Sequence, residues 1–320
     1  MQNITVMEAI GQALSEEMRR DQRVIMFGEG VATKRRDLVQ EFGARRVRNT
    51  PLAEGIIAGT AAGAAATGLR PVIDLLFAPF ICYSMEEIVN SAGKLRYISG
   101  GQFSFPLVAI SLTGSGWTVG AQHNHNIEAW FVHSPGLKVV MPSNAADFKG
   151  LLKSAIRDEN PVMYFIDMPL LHAAGEVPEG EHLVPIGQAA ICRPGTDVTF
   201  ISYAKMVHTC MKAAEVLAER GISAEVIDLR SLKPYDEQTV LESARKTGRV
   251  IVVHEASRTG GVGAEIAATV AEQAFDALKG PVVRITGPDA PPPSSYALEQ
   301  AFLPQPESIV KAARSLVGKP

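Results

Sequence analysis

The sequence predicts two α/β units, the first built on a parallel sheet covered by helices on both faces. Three observations carry that prediction. Short apolar runs rich in β-branched residues alternate with longer stretches of helical periodicity. The 320 residues suffice for two domains of ordinary size. A polar, weakly periodic stretch from Ala173 to Gly187 reads as a linker between two such series. The expected division is residues 1–180 and a smaller unit at 188–320.

Each element follows from its residues. Val6, Ile10, Leu14 and Met18 fall four apart, so a helix is expected from Thr5, its cap, to Arg20. Val24 to Phe27 reads as a strand ending at Gly28-Glu29-Gly30. A helix of small residues follows Glu54, and Arg70 to Leu75 is a buried strand. Phe80 to Tyr97 has the pattern of one long helix, and Leu107 to Leu112 is a strand leading into the loop Gly114-Ser115-Gly116-Trp117. Strands at Lys138–Pro142 and Pro161–Ile166 flank a helix near Ala145–Arg157. The second unit repeats the alternation. Strands are expected at Asp197–Tyr203, Ser223–Asp228 and Arg249–Val253, with helices at Met206–Arg220, Glu237–Lys246, Ala264–Leu278 and Glu307–Val317.

Composition excludes several classes of function. Hydrophobic residues make up 46% and charged residues 20% of the chain, enough apolar material for a large core. A net charge of −3 gives no electrostatic reason to bind nucleic acid or an anionic membrane. No run of about 18 apolar residues exists, and the first residues lack the basic start and apolar stretch of a signal peptide. Cys82, Cys192 and Cys210 lie far apart, which argues against a disulfide framework or a cysteine metal site and fits a reducing cytoplasm.

One acid stands out. Glu54 opens the run Glu54-Gly55-Ile56-Ile57-Ala58-Gly59-Thr60-Ala61-Ala62-Gly63, and no basic residue lies between Arg48 and Arg70. A helix with so little polar surface packs closely on its neighbours, and a carboxylate at its entrance is costly to bury unless protonated or partnered. An ordinary first-turn charge facing water is the alternative. The apolar setting favours an acid whose proton meets a buried ligand.

Several motifs then give a family resemblance. Asn49-Thr50-Pro51-Leu52-Ala53-Glu54, Gly68-Leu69-Arg70-Pro71-Val72, Lys94-Leu95-Arg96-Tyr97, Ala121-Gln122-His123 and His133-Ser134-Pro135-Gly136-Leu137-Lys138 occur in order. The set resembles the beta subunits of thiamine-diphosphate-dependent 2-oxo acid dehydrogenase components of the pyruvate, acetoin and branched-chain types, from Thr5 to about Leu316. The resemblance implies an N-terminal pyrimidine-binding domain and a smaller C-terminal domain, both transketolase-like. It also implies the chemistry: formation of the cofactor ylide, cleavage of the bond next to a keto carbon, and acyl transfer to a lipoyl group.

Residue roles follow from the resemblance alone. Glu54 matches the acid that exchanges a proton with the aminopyrimidine, and Glu29 a second acid of the same relay. By spacing from Glu54, Phe80 falls on the stacking aromatic and Leu76 on the aliphatic neighbour that grips the ring. His123 matches the histidine that faces the active-site channel, a residue type able to titrate near neutrality. Leu107, Ala155, Ile156, Asp158 and Asn160 match a potassium site made of backbone carbonyls and one acid.

Absences and departures matter too. The chain has no Gly-Asp-Gly with a following asparagine to hold magnesium and the diphosphate, so an alpha chain is expected to supply that site in an α2β2 assembly. Gly260-Gly261-Val262-Gly263 lacks dinucleotide spacing and reads as a tight turn. His125 stands where relatives usually carry glutamine, and His123-x-His125 lacks a third ligand for zinc. The segment Val31–Leu38 is short and basic, Ala53 replaces a serine, and Pro79 replaces a polar residue. These departures leave open a transketolase-like transfer of a two-carbon ketol unit from a ketose phosphate to a carrier. A scaffold that only docks a lipoyl-bearing partner is a third reading.

Overall fold

The computed structural model describes residues 1–318. The N-terminal unit comprises β1 (Gln2–Thr5), α1 (Val6–Arg20), β2 (Val24–Glu29), β3 (Val47–Thr50), α2 (Glu54–Ala66), β4 (Arg70–Phe77), β5 (Val108–Thr113), β6 (Lys138–Val140), α3 (Ala145–Arg157), β7 (Val162–Asp167) and β8 (Ala174–Val177). The C-terminal unit comprises β9 (Ala190–Arg193), β10 (Val198–Ser202), α4 (Met206–Ala218), β11 (Ala224–Asp228), β12 (Ser231–Lys233), α5 (Glu237–Thr247), β13 (Val250–Ser257), α6 (Val262–Gln273), β14 (Val283–Gly287) and α7 (Pro306–Val317). Short helical turns join them.

The first sheet runs β12-β6-β7-β5-β4-β2-β3, parallel throughout except for β12. The second runs β14-β13-β10-β11-β9, with only β9 antiparallel. Their central strands are buried on both faces, which is why they read as continuous apolar runs. Local signals set several boundaries as expected. The Thr5 side chain accepts from the Glu8 amide while Glu8 returns a bond to the Thr5 amide, a capping box that starts α1. At α3 the Asn144 side chain accepts from the Asp147 amide, a simple N-cap.

One face of the first sheet packs on α1 and α3 through Ile10, Leu14, Phe148 and Leu152. The other face carries α2, and its apolar cluster continues without a break into the C-terminal unit through Ile201, Leu229 and Leu232. Polar ties reinforce that seam. The Tyr203 hydroxyl donates to Glu128 at 2.7 Å, Arg230 pairs with Asp147 at 3.0 Å, and Lys205 lies between Asp167 and Glu255.

Two expectations are corrected. The single helix over Phe80–Tyr97 is a tight 3-10 segment (Ala78–Ser84), a wide π turn (Glu86–Ala92) and a short α turn (Leu95–Ile98). Pro79 enters the tight segment, and the Gly93 amide bonds five residues back to Ile88. Ile81, Ile88 and Ala92 are still buried, so the apolar spacing was real while the helix type was not. The stretch Ala173–Gly187 is not all linker, because β8 pairs antiparallel with β1. A strand not expected from the sequence, β12, leaves the C-terminal unit to extend the N-terminal sheet beside β6.

Candidate active site

In a parallel sheet, functional groups gather outside the carboxyl ends of the strands. β2 ends at Glu29, β3 at Thr50 and β4 at Phe77. In register, Gly28 faces Asp74 and Glu29 faces Thr50. Glu29, Leu76 and, four residues beyond Thr50, Glu54 therefore share one rim. Glu29 Oε2 and Thr50 Oγ1 are buried there without a hydrogen-bond partner. Buried polar atoms are rarely left unpaired, so the rim is suited to a polar ligand.

Glu54 is the first residue of α2, where backbone N–H groups are unpaired and the helix dipole favours an acid. No side chain caps this end. A Cβ on Gly55 would lie 2.9 Å from the Tyr83 carbonyl oxygen, so the helix start rests directly on the 3-10 segment. The opposite side is open. Leu52, Ile56 and Tyr83 are 67%, 73% and 70% exposed, and Glu54 itself is half-buried. The full enclosure expected from the sequence is thus met from one side within the chain. The buried face of α2 is Ile57, Ala58, Ala61, Ala62 and Ala65, leaving its outer face unpartnered. A groove of about 630 Å³ runs along that outer face and β3, lined by Ile56, Thr60, Phe27 and Leu69 together with Arg45 and Arg48.

Leu76 is held in a left-handed conformation, φ +58°, unusual for a non-glycine residue. Its amide donates to Asp74 Oδ1 at 2.9 Å, and its carbonyl accepts from the Ser111 hydroxyl at 3.1 Å. The β4–β5 pairing shifts register between Asp74 and Phe77, a bulge that re-aims the end of the strand. Strain of this kind, about 1–3 kcal/mol, gathers at sites where a side chain must point in an uncommon direction.

Phe80 sits half-buried in the 3-10 segment. It meets the His123 ring edge-on at 5.3 Å, and Phe77 does so at 4.8 Å. His123 is therefore clamped by two aromatics that leave β4. His125 goes elsewhere: it packs on Trp130 at 6.0 Å, and burial lowers its proton affinity. Among the described residues no group of three His, Cys, Asp or Glu is arranged to hold a metal ion.

Sequence reasoning missed Phe77 and Glu87. Phe77 falls just beyond the strand expected over Arg70–Leu75 and carries no expected role. Glu87 falls inside the single helix expected over Phe80–Tyr97, again with no expected role, yet its Oε2 is buried and unpaired, and its carboxyl lies beside Gly55 at the start of α2. An acid facing the glycine next to Glu54 was the available signal, but it requires knowing the turn that brings them together.

The five candidate potassium ligands form a separate corner, and Arg70 organises it. Its guanidinium, 5% exposed, donates to the carbonyls of Ile156 at 2.8 Å and Asp158 at 3.0 Å. Leu107 O accepts from the Val162 amide, and Ala155 O from the Asp158 amide. The Asp158 carboxylate pairs with Lys138 and accepts from Asn160, whose side-chain oxygen accepts from Arg96. Each of these carbonyl oxygens keeps a second lone pair, whereas the Asp158 carboxylate is already neutralised by an ammonium group.

Comparison with known proteins identifies the family. The chain matches the transketolase pyrimidine-binding domain over residues 2–172 and the transketolase C-terminal domain over 187–309. It is 41% identical to an acetoin:2,6-dichlorophenolindophenol oxidoreductase subunit beta of Bacillus subtilis (strain 168), covering 99% of this chain and 98% of that protein. It is 44% identical to a pyruvate dehydrogenase E1 component subunit beta of Rhizobium meliloti (strain 1021), over 100% and 71%. A 2-oxoisovalerate dehydrogenase subunit beta of Bacillus subtilis is 40% identical over 99% of each. Among solved structures, a split-gene transketolase described as an inactive beta4 tetramer superposes with a TM-score of 0.82 at 26% identity, covering 98% of both chains. With matches that span both units from end to end, the chain belongs to the two-domain transketolase-like family that includes the beta subunits of the 2-oxo acid and acetoin dehydrogenase components.

Proposed function

We propose that this chain is the pyrimidine-binding beta subunit of a thiamine-diphosphate-dependent dehydrogenase component that cleaves a 2-oxo acid or acetoin and passes the acyl unit to a lipoyl group. The observation that carries the reading is the rim itself. Glu54 opens α2 beside two buried, unpaired oxygens, Glu29 Oε2 and Thr50 Oγ1, with Leu76 and Phe80 leaving the adjacent strand.

When bound, the cofactor would supply the carbon nucleophile and the electron sink needed to cleave the bond next to the keto carbon. The chain's own residues position and proton-load it. Glu54 would hold a proton against a pyrimidine nitrogen, with its open side shielded from water by the partner chain. Glu29 would extend the relay. Leu76 and Phe80 would grip the flat ring, and His123 would meet the substrate carboxylate or the acyl acceptor. Diphosphate and magnesium are assigned to an alpha chain, because no phosphate loop exists here. The exposed Leu52, Ile56 and Tyr83 support an α2β2 assembly in which that chain covers the Glu54 side. The carbonyls of Leu107, Ala155, Ile156, Asp158 and Asn160 would take potassium.

A lipoyl-bearing acyltransferase or an acyl-carrier protein is the expected acceptor. Three free cysteines fit a cytoplasmic setting, and among the described residues no helix is long and apolar enough to cross a membrane.

Transfer of a ketol unit from a ketose phosphate is the second reading, favoured by the superposition on a split-gene transketolase. Co-expression with its alpha chain and a substrate panel separates the two. Turnover of pyruvate, acetoin or a branched 2-oxo acid with lipoyl acceptor is the expected result; turnover of a ketose phosphate alone would replace the first reading with the second.

A further inference from the structure

The C-terminal unit reaches into the loop that carries His123. Glu299 lies on the helix Tyr296–Phe302 and is fully buried. Its Oε1 accepts from Asn124 Nδ2 at 3.0 Å and from the Thr118 amide at 3.3 Å. Asn124 adjoins His123 in the one-turn helix Ala121–Asn124. Thr118 stands at the other end of the same loop with φ +55°, a conformation that persists in a non-glycine residue only when its surroundings enforce it. The bond from its amide to Glu299 is such a restraint. Between the two, a Cβ on Gly120 would lie 3.5 Å from Ser294 Cβ, so the loop sits on the segment 294–299. Glu299 Oε2 makes no hydrogen bond. A buried carboxylate used at only one oxygen is a poor way to gain stability alone.

We propose that Glu299 is a positioning residue for His123: its carboxylate, delivered by the C-terminal unit, pins both ends of the loop and so sets the imidazole against Phe77 and Phe80. The aromatic clamp fixes the ring from the N-terminal unit, and Glu299 fixes the backbone from the other. The active-site histidine is therefore referenced to both units, and any shift between them moves it. The functional part of this inference rests on the reading of His123 given above.

The test uses the complex reconstituted with its alpha chain and compares Glu299→Ala, Glu299→Gln, His123→Ala and the double variant Glu299→Ala with His123→Ala. Misplacing a reacting group by about 1 Å can cost about 100-fold, so E299A is expected to lower kcat about 10- to 100-fold with cofactor affinity unchanged. E299Q keeps an acceptor for Asn124 and Thr118 and is expected to retain most of the rate. The double variant should be no slower than H123A. A double variant slower than H123A by the full factor of E299A would overturn the proposal, as would E299A with unaltered kcat where H123A is slowed.

A second readout does not depend on activity. In protein labelled at histidine, the His123 ring carries the ring-current shift of Phe77 and Phe80. E299A should move that resonance toward the value of an unclamped histidine, and E299Q should leave it in place. An unmoved resonance in E299A refutes the positioning role. Unchanged turnover in H123A, with the resonance shifting as expected, would refute the catalytic reading of His123 and leave the positioning role standing.

Discussion

Replacing Asp228 with asparagine should flatten the alkaline loss of stability that this carboxyl imposes. Asp228 ends β11 inside the seam between the units. The Ser143 hydroxyl and the Arg230 amide bond to it, Asp147 adds a repelling charge, and Arg230 opposes that effect. Burial dominates and pushes its pKa from the ordinary 3.8 to about 7. The folded chain thus keeps a proton that the unfolded chain has released, and stability falls as pH rises between those values. One pH unit is worth about 1.4 kcal/mol, so the whole effect is about 4 kcal/mol, complete by about pH 8. Asparagine mimics the protonated carboxyl in shape and leaves out the titration. Denaturant unfolding of both proteins from pH 4 to 8.5 reads the difference, which should widen steadily in favour of D228N and then level off. Parallel curves across that range would refute the argument.

Two further perturbations address the backbone of the site. Gly136 has φ +93°, and a Cβ there would lie 1.8 Å from the Gly93 carbonyl oxygen, so Gly136→Ala should lower stability by more than about 2 kcal/mol; a melting temperature within a degree of the parent would show that the two turns do not pack as described. Leu76→Gly relieves strain of about 1–3 kcal/mol while removing the side chain expected to grip the pyrimidine. It should leave stability near that of the parent and weaken cofactor binding about tenfold by calorimetry; unaltered affinity would place Leu76 outside the site.

What the sequence revealed and what it hid divides along local and non-local lines. α1 and α3 were legible because a cap, a 3.6-residue apolar stripe and a closing signal coincide at Thr5–Arg20 and Asn144–Arg157. Segment 78–98 was not. Its apolar residues keep helical spacing, but the change from 3-10 to π winding is imposed by packing, with α2 on one side and the Gly93–Gly136 contact on the other. β12 was hidden for a related reason, since a three-residue strand borrowed by the other unit's sheet has no periodicity of its own. At the site, motif order indicated Glu29, Glu54, Leu76, Phe80 and His123, and their elements meet at the β2–β4 rim. Glu87 and Glu299 became visible only once the fold placed them beside Gly55 and Asn124.

The central claim concerns the proton at Glu54. Glu54→Gln in the reconstituted complex keeps the shape of the α2 entrance and removes the exchangeable proton. Turnover measured alongside cofactor affinity and the unfolding midpoint tests it directly. Loss of rate by about 100- to 10,000-fold, with the cofactor still bound and the fold intact, is the predicted outcome. A variant that turns over like the parent would contradict the account and leave the chain a docking scaffold.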